Sequence, residues 1–521
     1  MSEAPSGTAP LETADLAAWL AVAAGTLGGF MAFLDVSVVN SAMPVIQGEI
    51  GATQSEGTWI STAYLVAEIV VMPLTTWFDR LIGLRRFLLA SAVLFTLFSM
   101  LCGLAGDLPT MICGRVGQGL AGGSLIPTAL TIIATRLPPR QQAIGIALFS
   151  CAALLGPIIG PLLGGWITET YSWRYAFYIN APICGVLVAL LLLGLPAKKG
   201  DWHELARADW AGIFGMALAL GSITILLEEG HREQWFDSAL IRTLAAGCVV
   251  GCVAVGWGQW RSARPIVSLA LLRNPALTAT IVLSLMAGAL MFTSLFSVPQ
   301  FLAAIAGYNA WQSGTVIAIS GGSAILAAAL YPLVIARVDV RLLVGAAFLV
   351  QALACWQASH LTAASDGTAF ALSQMLLGVG LTLAVVPLQQ VNVSVVRLEE
   401  AGEASSLFVV ARNLGASIGL AAVASFQDQR LEFHHWRLHS AIAASDPAMQ
   451  AQVAADAAAH GGGADGLAAA LTLVDSHVMM DALVMSFNDV FLALAVATLL
   501  ASPLVLLLRP IDPARAMGAA H

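Results

Sequence analysis

The chain has 521 residues, 58% of them hydrophobic and only 10% charged, with a formal net charge of −8. A soluble globular chain carries roughly 25% charged residues, and the mean hydropathy here is +0.83. These figures exclude a disordered chain, a basic nucleic-acid-binding protein and an ordinary water-soluble enzyme, and leave an integral membrane protein with many spans.

In chain order, residues 1–16 carry Glu3, Glu12 and Asp15 but no Lys or Arg. A cleaved signal peptide needs a basic n-region, so this stretch reads as a tail before a retained first span. Apolar runs near the ~20 residues that cross a bilayer as a helix then centre on 17–43, 57–78, 87–106, 109–135, 143–167, 175–195, 210–228, 239–260, 276–302, 312–335, 342–361, 369–394, 403–426 and 484–508. Barrel strands would be short and alternating, so the expectation is an all-α integral membrane protein with about fourteen spans. Two connectors are longer than turns. One is 196–209. The other is 427–483, Ala-rich, with His434, His435, His439, His460 and His477 and a Gly461-Gly462-Gly463 tract that reads as a hairpin turn. The histidines read as solvated, because no acidic or Cys partner completes a ligand spacing. The seven cysteines all fall in apolar runs and read as small core hydrophobes.

The basic residues set orientation. With the N-terminus inside, inward loops and tails hold sixteen Lys and Arg, outward ones five, and two lie within spans, Arg115 and Arg412. The positive-inside rule therefore places both termini, 1–16 and 509–521, in the cytoplasm.

The charged side chains left inside spans are chiefly Asp35, Glu68, Arg115 and Arg412. A charge near the bilayer centre costs about 2.5–3.5 kcal/mol on insertion scales, so each must be neutralised, paired or hydrated. Asp35 reads as a proton carrier or as a permanent partner of Arg115. Glu68, in wholly apolar surroundings one turn from Tyr64, reads as a second protonation site, a counter-charge for cationic drugs, or a packing hydrogen bond. Arg115 and Gln118 share a helix face. Arg is always charged, so Arg115 can tune a carboxylate but not titrate. Arg412 reads as a further coupling residue or as one that snorkels from a helix end. Asn40, Tyr64, Gln300, Gln374, Gln389, Gln390 and Asn392, with Phe30, Phe33, Trp59, Phe292 and Phe296, are the polar and aromatic groups from which a mixed pocket would be built.

Ordered motifs go further. Phe33-Leu34-Asp35 through Pro44 lies in the first run, Arg115-Val116-Gly117-Gln118-Gly119 in the fourth and Gly156-Pro157-Ile158-Ile159-Gly160-Pro161-Leu162-Leu163-Gly164-Gly165 in the fifth. Trp173-Arg174-Tyr175 to Pro182, then Ala404-Ser405-Ser406-Leu407 and Arg412-Asn413-Leu414-Gly415 follow. Together they resemble the major facilitator superfamily, specifically the fourteen-span drug:proton antiporters of the EmrB/QacA type, and most closely the EmrB branch, over about residues 16–508. The loop after the second span departs from the family pattern: Thr76 replaces its leading Gly and Asp79 comes one place early.

The resemblance implies two six-helix bundles, 17–195 and 276–508, the latter including a periplasmic extension at 427–483. Two additional transmembrane helices and their linkers, 196–275, lie between them. It puts Arg115 at the family's proton-coupling position and favours Asp35 as a proton carrier. The residues themselves, and not the family pattern, add Glu68, Gln118 and Arg412 as coupling candidates and Phe33, Asn40, Tyr64, Gln300, Gln374, Gln390 and Asn392 as candidate substrate contacts. An antiporter motif spans Gly156, Pro157, Gly160, Pro161, Gly164 and Gly165, and a cytoplasmic gate comprises Asp79, Arg80, Gly83 and Arg85. The implied activity is proton-driven export of amphipathic or hydrophobic toxic compounds from the bacterial inner membrane. The implied partners are protons, hydrophobic or cationic drugs, the lipid bilayer, and a periplasmic adaptor with an outer-membrane channel. No catalytic residue, cofactor, resident metal or nucleic acid is called for. The alternative reading is a proton-coupled exporter of one metabolite or natural product, working alone.

Overall fold

The computed structural model describes residues 13–262, 265–335, 337–441 and 447–508; most of both tails, with Arg264, Arg509 and Arg515 of the basic tally, lies outside them. Among the described residues, fourteen helices are long and apolar enough to cross a membrane. They are α1 (Leu16–Ile50), α2 (Glu56–Ile82), α3 (Leu84–Leu104), α4 (Leu108–Arg136), α5 (Arg140–Thr170), α6 (Arg174–Gly194) and α7 (Trp210–Gly230). The second set is α8 (Ala239–Arg261), α9 (Pro275–Ala304), α10 (Trp311–Ile335), α11 (Val340–Ala358), α12 (Gly367–Ser394), α13 (Leu398–Ser440) and α14 (Gly463–Leu507). Odd-numbered helices rise from the face where α1 begins, the near face, to the far face; even-numbered ones return.

Short polar signals punctuate the apolar runs. Asp15 caps α1 by accepting from the Ala18 N–H at 2.8 Å, and Gly51 ends it in the left-handed region at φ 71°. Thr53 and Glu56 form a reciprocal capping box at the start of α2, satisfying amides that have no partner within the helix. Asp107, Asn274 and Asp339 cap α4, α9 and α11 with a single side-chain acceptor each, for the Thr110, Ala276 and Arg341 N–H groups.

In the first half α1 packs on α4, α5 and α6, and α4 packs on α2 and α3; in the second half α9 packs on α13, and α11 packs on α12 and α14. The halves meet where α5 lies on α10 and α12 and where α4 lies on α13. The added pair, α7 and α8, packs mostly on itself. α7 then reaches both halves: Glu229 accepts from Thr62 on α2 at 3.3 Å, and Ser417 on α13 donates to Glu228 at 2.7 Å. α8 presents Val249, Val253, Trp257 and Trp260 outward, an apolar face suited to lipid, which does not penalise exposed hydrocarbon.

Three expectations change here. The runs expected at 403–426 and 484–508 are the membrane-length parts of much longer helices. At 1.5 Å per residue α13 and α14 are each over ~60 Å long, twice the ~30 Å of bilayer hydrocarbon. No proline interrupts the polar 427–440 stretch or the Ala-rich 464–483 stretch, so each helix runs on past its apolar run and the extension continues two spans. Pro447–Ala459 forms a short helix beside α14, and the turn falls at Gly461, Gly462 and Gly463, all with positive φ. The second change is His434, which is buried: its Nε2 lies 2.6 Å from Asp489 of α14, with Arg430 Nε 2.5 Å from the same carboxylate. The acidic partner comes from the next helix, which sequence spacing does not reveal. The third is that Cys113 and Cys252 are exposed and not in the core, because an outward helix face in lipid is as apolar as an inward one.

Candidate functional site: a buried charge cluster beside an inter-half cavity

Asp35 sits on the inner face of α1, 1% exposed. Two helices supply three donors to it. Arg115 Nη1 on α4 is 2.6 Å from Oδ2, Gln118 Nε2 one turn later donates to Oδ1 at 3.1 Å, and Asn180 Nδ2 on α6 donates to the same oxygen at 2.7 Å. Arg115 is fully buried. Its Nε donates to the Ile60 carbonyl at 3.1 Å, its Nη1 also reaches Gln118 Oε1, and its guanidinium lies 4.2 Å from the centroid of the Tyr64 ring. Ser99 on α3 holds Asn180 at 2.9 Å. The carboxylate therefore has its counter-charge and two neutral donors in a site closed to water. Chemically, protonating Asp35 would neutralise the charge that holds Arg115 and leave the guanidinium to its carbonyl, amide and aromatic contacts. Asn180 and Ser99 carry no charge, and the sequence alone offered only the Trp173–Pro182 motif as a signal for the first.

Small residues bring the helices this close. Gly156, Gly160 and Gly164 recur every four residues on α5 and face Phe33, Ser37 and Val38 with Ser41 on α1. A Cβ on Gly156 would lie 2.7 Å from that of Phe33, and one on Gly164 would lie 2.7 Å from the Val38 carbonyl. Gly165 faces open space. Pro157 and Pro161 lie within the same helix.

Between the halves is a cavity of about 540 Å³, its open side included. Phe33 of α1, Ser150 and Leu154 of α5, Met291 and Phe292 of α9, Leu381 and Gln389 of α12 and Arg412 of α13 line it. Ser150 donates to Gln389 across the seam at 3.2 Å. A second cavity shares Leu154, Met291 and Leu381 and continues to Gln374. Of the seven residues expected at substrate, Phe33 and Gln374 line these spaces. Tyr64 lies under Arg115, Gln390 is bonded by Tyr331, Asn392 is buried elsewhere, and Asn40 and Gln300 are exposed, Asn40 accepting from Ser61. Arg412 does not snorkel. It is 6% exposed, lines the cavity, and lies 5.6 Å from the Phe33 ring. Glu68 on α2 is also buried.

At the near face Arg80 lies 3.7 Å from Glu204 in the 196–209 connector and 3.7 Å from Glu403 at the start of α13. Thr75 and Ser406 hydroxyls meet at 3.0 Å. The Asp79 carbonyl accepts from the Gly83 N–H at 2.8 Å, and Arg85 donates to the Leu195 carbonyl at 3.2 Å. Gly83 has φ 86°, and a Cβ there would meet the Lys198 carbonyl at 2.5 Å, so this turn requires glycine. Of the four residues expected at a gate, Arg80 spans the halves and the others shape its turn.

The Major Facilitator Superfamily profile matches residues 25–420. The chain belongs to that superfamily. Among its curated superfamily relatives, the "Multidrug export protein EmrB" of Escherichia coli (strain K12) is 32% identical over 444 residues, covering 85% of this chain and 86% of that one. The "Colistin resistance protein EmrB" of Acinetobacter baumannii is 28% identical, covering 92% and 94%. The crystal structure of the human organic anion transporter MFSD10 superposes with a TM-score of 0.60 at 14% identity, covering 92% of this chain and 99% of its own; at that identity it shows the major facilitator fold alone. The fourteen spans place this chain with the fourteen-span, EmrB-type members.

Proposed function

We propose that this protein is a proton-coupled exporter of amphipathic drugs, working by alternating access between two bundles at about 17–195 and 276–508. The observation that carries the reading is the Asp35–Arg115–Gln118–Asn180 cluster: an ionisable group, closed to water, in a membrane helix that lines an inter-half cavity through Phe33, two residues earlier. A carrier exchanging protons for substrate needs a group whose charge differs between states and a structure that feels the difference. Asp35 meets the first need and Arg115 the second. Glu68 and Arg412, both buried, form a second coupling pair. Gly156, Gly160 and Gly164 keep α1 and α5 sealed against proton leak. Arg80 with Glu403 and Thr75 with Ser406 close the near face, which the basic-residue count makes cytoplasmic. The location is the bacterial inner membrane with both termini inside. The EmrB names of its relatives and the helical extension support assembly with a periplasmic adaptor and an outer-membrane channel.

The test is drug or dye efflux from proteoliposomes under an imposed pH gradient. Wild type should accumulate substrate in proportion to the gradient, and Asp35→Asn should not respond to it. An Asp35→Asn variant that follows the gradient as steeply as wild type removes Asp35 from the mechanism. Deleting 440–475 should abolish adaptor capture and spare vesicle transport; retained capture removes the docking role.

A further inference from the structure

The direct polar links between the halves described above, Arg80 with Glu403, Thr75 with Ser406 and Ser150 with Gln389, lie in the near half of the seam. At the far side the links run through the inserted helix α7. Its near end rests on the first half: Trp210 meets Trp77 edge-on with ring centroids 6.3 Å apart, and Ile213 and Met216 share a buried cluster with Trp77 and Leu81 of α2. Its far end is held along the second half. Ser417 donates to Glu228 at 2.7 Å, Trp235 Nε1 donates to Ser425 at 3.1 Å, and His231 Nε2 lies 2.8 Å from Asp428. From Ser417 to Asp428 that grip covers about 16 Å of α13.

The first half holds the same end by one turn of α2. Thr62 and Thr58 donate to Glu229 at 3.3 and 3.4 Å, and Arg232 donates to Thr58 at 2.7 Å. Glu229 is 2% exposed and lies 2.6 Å from Arg232 of its own segment. The loop that follows is strained: Gln234 and Trp235, neither of them glycine, both have φ 54°. Such a conformation persists where the surroundings over-determine it. Here the Trp235 ring covers Gly230, whose added Cβ would meet it at 2.6 Å, while its Nε1 is tied to Ser425.

We propose that α7 is the far-side gate, pivoting on its near end, moving with the second half, and opening the far face by parting from α2 at Glu229. The inference rests on the alternating-access reading and gives the inserted helix a working part in it. The α2 joint is the one that opens because it is confined to one turn. The α13 joint is spread along its helix and includes the packed Trp235 loop, which would have to rearrange first. Parting from α2 leaves Glu229 paired with Arg232, so no charge is stranded without its partner.

The test measures distances between spin labels on the full chain, its native cysteines replaced, in nanodiscs. One label pair is Gly48→Cys at the far end of α1 with Asp237→Cys in the loop after α7; the other is Asp237→Cys with Glu432→Cys on α13. All three sites are exposed. Adding Glu229→Ala should lengthen the first distance by about 5 Å, the arc of a ~10° tilt over the length of α7, and leave the second unchanged. A change confined to the second distance, or no change in either, would overturn the gate. A disulfide decides the matter if Glu229→Ala fails to fold. Gly221 of α7 faces Val66 of α2, an added Cβ lying 3.6 Å from the valine methyl, so Gly221→Cys with Val66→Cys pins the two helices without touching Glu229. Oxidation should cut dye efflux from proteoliposomes about tenfold or more, and reductant should restore it. Undiminished efflux after complete oxidation would overturn the gate. A cysteine-replaced chain with no gradient-driven efflux even when reduced would sink the transport reading instead, and the label distances would still decide the gate.

Discussion

The Asp35–Arg115 pair allows a quantitative test of what each charge does. Removing one partner of a buried ion pair costs about 3–5 kcal/mol, because the other is left uncompensated. Asp35→Asn should fall near the lower end. The amide oxygen still accepts from Gln118 or Asn180, and Arg115 keeps the Ile60 carbonyl, Gln118 Oε1 and the Tyr64 ring. Arg115→Gln should cost a similar ~3 kcal/mol, the carboxylate keeping two neutral donors but losing its counter-charge. The double variant buries no unpaired charge and should lose only about 1–2 kcal/mol, which gives a coupling of roughly 4 kcal/mol where independent sites would add to within about 0.5. The assay is SDS-titrated unfolding in mixed micelles, with pH-gradient-driven efflux measured on the same samples. Stability should recover in the double variant while gradient-driven transport stays lost. Additive stability losses would refute the pairing energetics. Recovery of gradient-driven transport in the double variant would show that this pair is only a structural clamp.

Three further outcomes follow from the geometry. Gly160→Val should cost about 1–3 kcal/mol or prevent folding by driving α5 off Ser37 of α1, whereas Gly165→Ala, facing open space, should stay within about 0.5; thermal denaturation in detergent separates them. Arg80→Ala should slow disulfide formation between cysteines placed at Thr76 and Gly402, whose side chain and Cα adjoin across the near face. The effect should be at most about 1 kcal/mol, or fivefold, since Arg80 is about a third exposed and both its ion pairs are long. Asp489→Asn removes the acceptor shared by Arg430 and His434 and should open the base of the extension to limited proteolysis at unchanged membrane integration.

Much of this was legible because water and lipid penalise different mistakes. The spans are readable from hydropathy since a bilayer sets one length for every helix, and Asp35, Arg115, Gln118, Glu68 and Arg412 are conspicuous because charge or amide groups there are expensive. Asn180, Ser99 and Ser150 were not conspicuous: a single neutral polar residue in a span carries no signal until its partner helix is known. The cavity-lining set was the least legible. Helices that are apolar all round have no preferred face, so Asn40 and Gln300 looked equivalent to Gln389 until packing placed the first two on the outside and the third at the cavity. The extension misled for another reason. Hydropathy marks where a helix leaves the bilayer, but backbone propensity decides where it ends, and in α13 and α14 those points are many residues apart.

That mismatch gives the second half a lever. α13 and α14 run without interruption from the near face to the tip of the hairpin, so any tilt of the half about the near-face contacts is magnified along rods of about 60 Å. A rotation of ~10°, small for a rocking carrier, displaces the tip by about 10 Å. In the proposed alternating-access cycle, a partner holding the tip would be told which way the cavity faces. By reciprocity, a grip that prefers one tilt shifts the equilibrium of the cavity by the same free energy, so the outermost turn of the molecule exerts leverage on the innermost charge.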